Sequence, residues 1–359
     1  MRSLLVQSFS SPCQQVMGIG RNRKLLMERL VFPASCIRAV CLHTNVSRVL
    51  ITGALGQLGF GLARILRDQL GHHNVVMSDI HKASECVRDS GPYVYLNVQD
   101  QGLLARTCVE QDIGCIVHYS AILSADAEAN TQRALDINII GLHNVLEVSR
   151  QLNLKLFVPS TIGSFGPESP RNPTPDLAVQ RPKSLYGICK IHAELMGEYY
   201  HTKFGLDFRC LRYPGVISEH KPGGGTTDYA LKMFHDAVTN QVNICCLKLD
   251  TRLPMIYIDD LHHATAQYLQ MPNNLLKKRT YNIGALDFSP EELALEIQKE
   301  NPSFQVTYKP DYRQRIAETW PEKLDFSNAM NDWGYRPKYT LETACQKILR
   351  SLKSKLNDP

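Results

Sequence analysis

The chain has 359 residues, 43% of them hydrophobic and 21% charged, an ordinary balance for a folded, water-soluble protein. Collagen, coiled coil and disordered tail are excluded by composition. A membrane span is excluded because no run approaches the roughly 18 apolar residues it needs. The formal charge of +5 is local: residues 1–46 hold Arg2, Arg21, Arg23, Lys24, Arg29 and Arg38 against Glu28 alone, and the remainder carries 34 charges of each sign. The body therefore offers no electrostatic footprint for nucleic acid.

The first 46 residues are rich in Arg and Ser and poor in acid, and stretches such as Arg23–Phe32 can present one basic and one apolar face. That pattern reads as a mitochondrial transit peptide, and it lacks the clean apolar core of a secretory signal. The eleven cysteines are an odd number without any C-x-x-C, and most lie in apolar stretches, as Cys115 and Cys210 do. They read as small buried hydrophobes in a reducing compartment such as the matrix. With no H-e-x-x-H spacing either, neither a structural nor a catalytic metal is expected.

The ordered body is expected to begin near Ser47. Strands are predicted at 48–52, 75–79, 93–97, 113–118, 154–159 and 207–212, with helices at 56–70, 103–110, 130–152 and 184–204 between them. Strand and helix alternating at this spacing imply right-handed crossovers and an α/β fold with a doubly wound parallel sheet. After Pro214 the rhythm changes to helices from about Thr227, Asp259 and Pro290, joined by short strands. Three regions follow: a leader over 1–46, a nucleotide-binding domain over 47–216, and a smaller lobe over 217–359 with segments returning to the main domain. The cleft between the last two is the expected substrate site.

Between the first strand and first helix lies Gly53-Ala54-Leu55-Gly56-Gln57-Leu58-Gly59, a G-x-x-G-x-x-G turn. A phosphate approaching there needs backbone without Cβ and the unpaired N–H groups of a helix start. Asp79 ends the second strand, 20 residues past Gly59, where a carboxylate can accept from a ribose diol and repel a 2′-phosphate. The pair favours NAD over NADP.

Tyr186 and Lys190 form a Y-x-x-x-K at the start of the long helix, and an i, i+4 spacing puts both on one face. A phenol with pKa near 10 is a poor base at neutral pH, but a neighbouring ammonium stabilises the phenolate. A proton acceptor of this kind is what hydride transfer from an alcohol to NAD requires. Upstream, Pro159-Ser160-Thr161-Ile162-Gly163 ends the fifth strand and supplies a hydroxyl that can bond the same substrate oxygen.

G-x-x-G-x-x-G, S-T-x-x-x-x-G and Y-x-x-x-K occur in the order and spacing of the extended short-chain dehydrogenase/reductases, which the chain resembles from about residue 48 to 350. His118-Tyr119-Ser120-Ala121 looks like the family's loop beneath the cofactor, Asn138-Ile139-Ile140-Gly141 like its N-x-x-G segment, and Leu211-Arg212-Tyr213-Pro214-Gly215-Val216 like the loop beside nicotinamide. The resemblance implies a Rossmann fold binding NAD through Gly53, Gly56, Gln57, Leu58, Gly59, Asp79, Ile80, Asn97, Val98, Tyr119, Ser120, Ala121, Tyr186, Lys190, Tyr213 and Val216. It further implies catalysis by Tyr186, Lys190, Thr161 and Asn138, the last sustaining a proton relay. It also implies a homodimer formed through the helices that carry Asn138 and Tyr186.

Pro222-Gly223-Gly224-Gly225-Thr226-Thr227-Asp228-Tyr229-Ala230 is similar to the short-chain type of L-threonine 3-dehydrogenase, a branch of the same family. Its substrate would be L-threonine, oxidised at C3. Thr226, Thr227 and the backbone at Gly224 are then expected to face the carboxylate, with Asp228 or Ser124 facing the ammonium. Arg171 is expected to bind or latch a lid and Trp320 to wall the pocket, beside Thr161 and Tyr186. The rival readings are a sugar-nucleotide epimerase or dehydratase on the same scaffold and a non-catalytic NAD-sensing protein. The first would need Arg and aromatic residues where 221–230 supplies glycines and threonines, and the second would tend to lose the Tyr–Lys pair.

Overall fold

The computed structural model describes residues 48–357; the leader and its expected targeting role lie outside them. The centre is a seven-stranded sheet, wholly parallel, in the order β10-β6-β5-β4-β1-β2-β3. Its strands are β1 (Arg48–Thr52), β2 (Val75–Asp79), β3 (Tyr93–Tyr95), β4 (Ile113–His118), β5 (Lys155–Thr161), β6 (Phe208–Tyr213) and, from much later in the chain, β10 (Thr280–Asn282). The order reverses between β1 and β4, which opens a crevice at the carboxyl ends of these strands where a doubly wound sheet takes its ligand.

Both faces of the sheet are buried, so its strands read as near-continuous apolar runs. Alternation assigns their side chains: Val49, Ile51, Val75, Met77, Val117 and Phe157 join one core, with Leu62 and Leu66 of the first helix (Gln57–Leu70), Tyr268 and Trp333. Leu50, Val76, Ile116 and Leu156 point the other way and are fully buried. On the first side the helix Ile258–Gln270 lies so close to the first helix that a Cβ on Gly61 would fall 2.0 Å from the His262 ring.

A second core belongs to the C-terminal half. It gathers Tyr229, Phe234, Met255, Leu293, Trp320 and Ile348 around two small sheets. One of these orders β11 (Leu286–Phe288), β9 (Leu253–Tyr257) and β7 (Gly215–Ile217); the other pairs β12 (Val306–Tyr308) with β8 (Asn243–Cys245). Seven of the eight described cysteines are buried thiols and Cys86 is exposed; none is bonded to another.

Two departures from the sequence expectations matter. The helix expected over 130–152 is interrupted: Thr131–Leu135 and Leu142–Gln151 are α-helical, and Asp136–Gly141 between them is a π-helical turn. Inserted turns of this kind recur at functional sites because they re-aim a side chain, and here the side chain is Asn138. The third strand stops at Tyr95, which leaves Asn97 and Val98 in the loop at its carboxyl end.

Two buried histidines tie stability to pH. His118 ends β4, its Nδ1 2.9 Å from Thr52 Oγ1, and burial together with Lys190 brings it down to about 3. Burial brings His262 down to about 4, against the pull of Asp259. Both fold as neutral imidazoles, whereas the unfolded chain protonates them near 6.5. Their contribution is complete above that value and is lost as pH falls toward the folded values, at up to about 1.4 kcal/mol per pH unit for each. Urea midpoints should therefore drop steadily between pH 6.5 and pH 5; a flat stability over that interval would contradict the burial of both rings.

Candidate active site

The glycine turn follows β1 directly. Gly53 has φ +66, a value that disfavours any residue with a Cβ, and a Cβ there would also lie 2.8 Å from the Ser120 amide nitrogen. A Cβ on Gly59 would lie 2.6 Å from Ala54 Cα, so this glycine lets the first helix sit against its own strand. Gly56 is the N-cap of that helix. It supplies no side-chain cap, and the first turn carries no acidic residue. The helix start is thus a row of N–H groups with positive potential and no anion of the protein's own.

Asp79, buried at the end of β2, turns its carboxylate back toward this turn. Its Oδ2 accepts from Leu55 N at 3.2 Å and its Oδ1 from His81 N at 3.2 Å. Each oxygen keeps lone pairs for a diol. Glycine cradle, uncapped helix start and adjacent carboxylate together fit a dinucleotide: pyrophosphate over Gly56, Gln57 and Leu58, adenosine ribose on Asp79. Ile80, next in sequence, is exposed, and Asn97 and Val98 lie in the loop that leaves the neighbouring strand β3. Gln57 reaches away from the turn, donating through Nε2 to Ser218 Oγ at 2.7 Å, so the turn is fastened to the segment that follows β7.

The second half of the site comes from β5 and the long helix Leu185–Phe204. Ser184 caps this helix by accepting from Gly187 N, and Glu128 accepts from Leu185 N at 2.8 Å. The first helical turn presses onto the end of β5: a Cβ on Gly187 would lie 2.2 Å from Gly163 O. That contact brings the Tyr186 phenol beside the Thr161 hydroxyl. Burial raises the phenol above its ordinary value, and the neighbouring Thr161 hydroxyl opposes the rise. Lys190 stands one turn on. Its Nζ donates to Pro159 O at 2.8 Å and lies 5.6 Å from the Tyr186 ring centre. Burial brings its ammonium down to about 8, with Glu194 among the groups that oppose the shift.

Asn138 sits behind this pair and holds the backbone of Ile122 from both ends of its amide, accepting from Ile122 N at 2.8 Å and donating to Ile122 O at 2.9 Å. It thereby fixes the loop that carries Ser120 and Ala121. Each end of the Asn138 amide is engaged with that loop by one bond. The phenol of Tyr213 points into the core, bonded to Tyr119 at 3.1 Å and to Thr265 at 2.6 Å, which leaves the backbone of Tyr213 to meet a cofactor.

The residues expected around the substrate divide. Trp320 packs beside Gly163, 3.6 Å from where a Cβ would lie, and so walls the space next to Thr161. Ser124 opens a short helix at the mouth of the site. Thr226 is buried, Thr227 packs against Gly215, and Gly224 is exposed with φ +98. Asp228 commits its Oδ2 to its own loop, accepting from Gly223 N at 2.6 Å and Gly225 N at 2.9 Å, which closes the glycine loop on itself. Of the two roles expected of Arg171, its contacts are those of a latch: its Nε donates to Trp320 O at 3.0 Å and its guanidinium pairs with Glu322 at 3.1 Å.

Several polar groups around the site carried no sequence signal of their own, Ser164, Gln180 and Glu194 among them. Only Glu194 was traceable, as the next residue on the Tyr186–Lys190 helix face. Among the described residues no group of three or more His, Cys, Asp or Glu could hold a metal ion, and no helix is long and apolar enough to cross a membrane.

Comparison with known proteins agrees with this geometry. Residues 49–284 match the NAD dependent epimerase/dehydratase family. A Bos taurus protein named L-threonine 3-dehydrogenase, mitochondrial, is 56% identical over 83% of this chain and 81% of its own length. The crystal structure of an L-threonine dehydrogenase from Phytophthora infestans superposes with a TM-score of 0.83 at 46% identity, covering 86% of this chain and all of that one. A GalE-like L-threonine dehydrogenase from Cupriavidus necator, in its holo form, gives 0.83 at 41% identity over 85% of this chain and all of its own. The chain belongs to the NAD dependent epimerase/dehydratase family, and within it to the group of the L-threonine 3-dehydrogenases.

Proposed function

We propose that this chain oxidises the C3 hydroxyl of L-threonine to 2-amino-3-oxobutanoate. The observation that carries the reading is the Thr161–Tyr186 hydroxyl pair with the Lys190 ammonium behind it, at the mouth of a dinucleotide cradle. Bound NAD supplies the acceptor for the C3 hydride. Thr161 holds the substrate hydroxyl, and Tyr186 takes its proton. Burial alone makes that phenol a weaker acid, so the phenolate depends on positive charge nearby, and Lys190 provides it from one helical turn away. Trp320 walls the pocket beside Thr161, and the loop of residues 223–228 offers backbone groups and threonine hydroxyls to the substrate's charged end.

In purified form, the protein should generate NADH from L-threonine and NAD but not from UDP-glucose and NAD. Tyr186→Phe should retain NADH binding and lose roughly 100- to 10,000-fold in turnover; a variant that binds normally and keeps its rate would remove the mechanism. Asp79→Asn should weaken NAD by roughly tenfold, the value of one charge-assisted bond, and narrow the preference over NADP. Unchanged KM values for both cofactors would remove Asp79 from the ribose site.

A homodimer is part of the same reading. Ile188, Leu195 and Tyr199 form an exposed apolar stripe along one face of the long helix, with Ile140 exposed on the adjoining π turn. A stripe of that size on paired helices supports self-association. Leu195→Glu should shift the protein to monomer in light scattering, and a wild type that is itself monomeric would exclude the dimer. The basic, acid-poor leader and the mitochondrial naming of the Bos taurus relative support import into the matrix. Fusing residues 1–46 to a fluorescent reporter tests this, and a cytosolic signal would exclude it.

A further inference from the structure

Behind the hydroxyl pair lies a buried polar cluster that the reaction does not use directly. Glu194 follows Tyr186 and Lys190 at i+8 and i+4 on the same helix face and is almost fully buried. Its carboxylate accepts four hydrogen bonds: from Ser160 Oγ, from Gln180 Nε2 at 3.1 Å, and from Arg212 Nε and Nη2 at 3.0 and 2.8 Å. Arg212, on β6, spends its remaining N–H groups on Asp176 O at 2.6 Å, Asn282 Oδ1 at 3.2 Å and Gln180 Oε1 at 3.4 Å, so all five donors have partners. Its guanidinium also lies over the Phe165 ring at 5.1 Å.

The cluster grips Thr161 from two sides. Ser160, bonded to Glu194, precedes it directly. From the other side Gln180 Nε2 donates to Ser164 Oγ at 3.0 Å, and Ser164 Oγ donates to Thr161 O at 2.8 Å. The same carboxylate is rigidly attached to Tyr186 through two turns of helix. Thr161 and Tyr186 arrive from different elements, and the chain between them runs through the loop that carries Asp176 and Gln180. The cluster is the only described side-chain structure that touches β5, β6, β10, that loop and the tyrosine helix together.

We propose that Glu194, Arg212 and Gln180 are positioning residues that fix the register between the Thr161 and Tyr186 hydroxyls. A bidentate pair suits this role because both partners are planar and its geometry is set in two directions at once, which a lysine could not reproduce. The inference rests on the threonine-oxidising reading for its assay, and on geometry alone for its residues.

The test compares Gln180→Ala, Arg212→Lys and Glu194→Gln with wild type. Sites are counted by NADH fluorescence titration, and kcat is expressed per NADH-binding site. Misplacing a catalytic group by about an ångström costs on the order of 100-fold. Gln180→Ala, in a partly exposed loop, should lower per-site kcat roughly 10- to 100-fold with the KM for NAD held within about threefold. Arg212→Lys, which keeps the charge and loses the fork, should do the same. A purely structural cluster would reduce the number of binding sites and leave each with its wild-type rate. Per-site kcat within about threefold of wild type for Gln180→Ala therefore overturns the proposal, even if Glu194→Gln fails to fold. The wild-type rate measured alongside separates the two claims: its absence removes the threonine reading, whereas a normal wild-type rate with normal variants removes the positioning role alone.

Discussion

The site depends on one close approach of two backbones. Gly187, in the first turn of the long helix, touches Gly163, just past the end of β5, so closely that no side chain fits between them. Every catalytic distance follows from it. The helix start is held down by Ser184 and Glu128, Tyr186 meets Thr161, and Lys190 reaches the Pro159 carbonyl beneath the strand end. Further along the same helix, Gly197 allows a second close contact, against the Phe208 ring of β6. Two glycines ten residues apart thus lay a rigid rod flat on the sheet. The chemistry stands at the end of the rod that opens onto the crevice.

Burial sets the electrostatics of that end. A phenol and an amine both resist charging when taken out of water, and here the phenol is shifted up and the amine down. The same desolvation strengthens whatever charge is brought in. Glu194 and Arg212 pair with one another one turn further along, and Glu194 also helps keep the Lys190 ammonium charged. The dinucleotide side follows a different logic. Gly56 and the first turn of its helix carry no anion of their own, which leaves the positive potential of the helix start for a ligand to satisfy.

Much of this was legible in the sequence because it is written in local patterns. The apolar runs of β1, β2, β4, β5 and β6 and the turn glycines carry the sheet, and Y-x-x-x-K carries one helix face. What escaped depends on contacts between distant segments. The π turn at Asp136–Gly141 leaves the apolar pattern of a helix intact while shifting the direction of Asn138, so periodicity reads straight through it. β8 and β11 are three-residue strands paired only with partners far away, too short for alternation to register. Asp228 looked like a free acid because nothing in its neighbourhood reveals that the loop bends back onto it. Whether Arg171 binds substrate or latches stayed open in the sequence because its partners Trp320 and Glu322 lie some 150 residues away.

β10 has a consequence for how the protein comes to be made. It pairs Thr280, Tyr281 and Asn282 with Cys210, Leu211 and Arg212, closing the far side of a sheet whose other six strands are finished by residue 213. A ribosome adds roughly 5–20 residues per second, so the nascent chain carries an unpaired row of N–H and C=O groups along β6 for several seconds. Such an edge templates association with other chains. Within that interval a holding chaperone would find its natural grip.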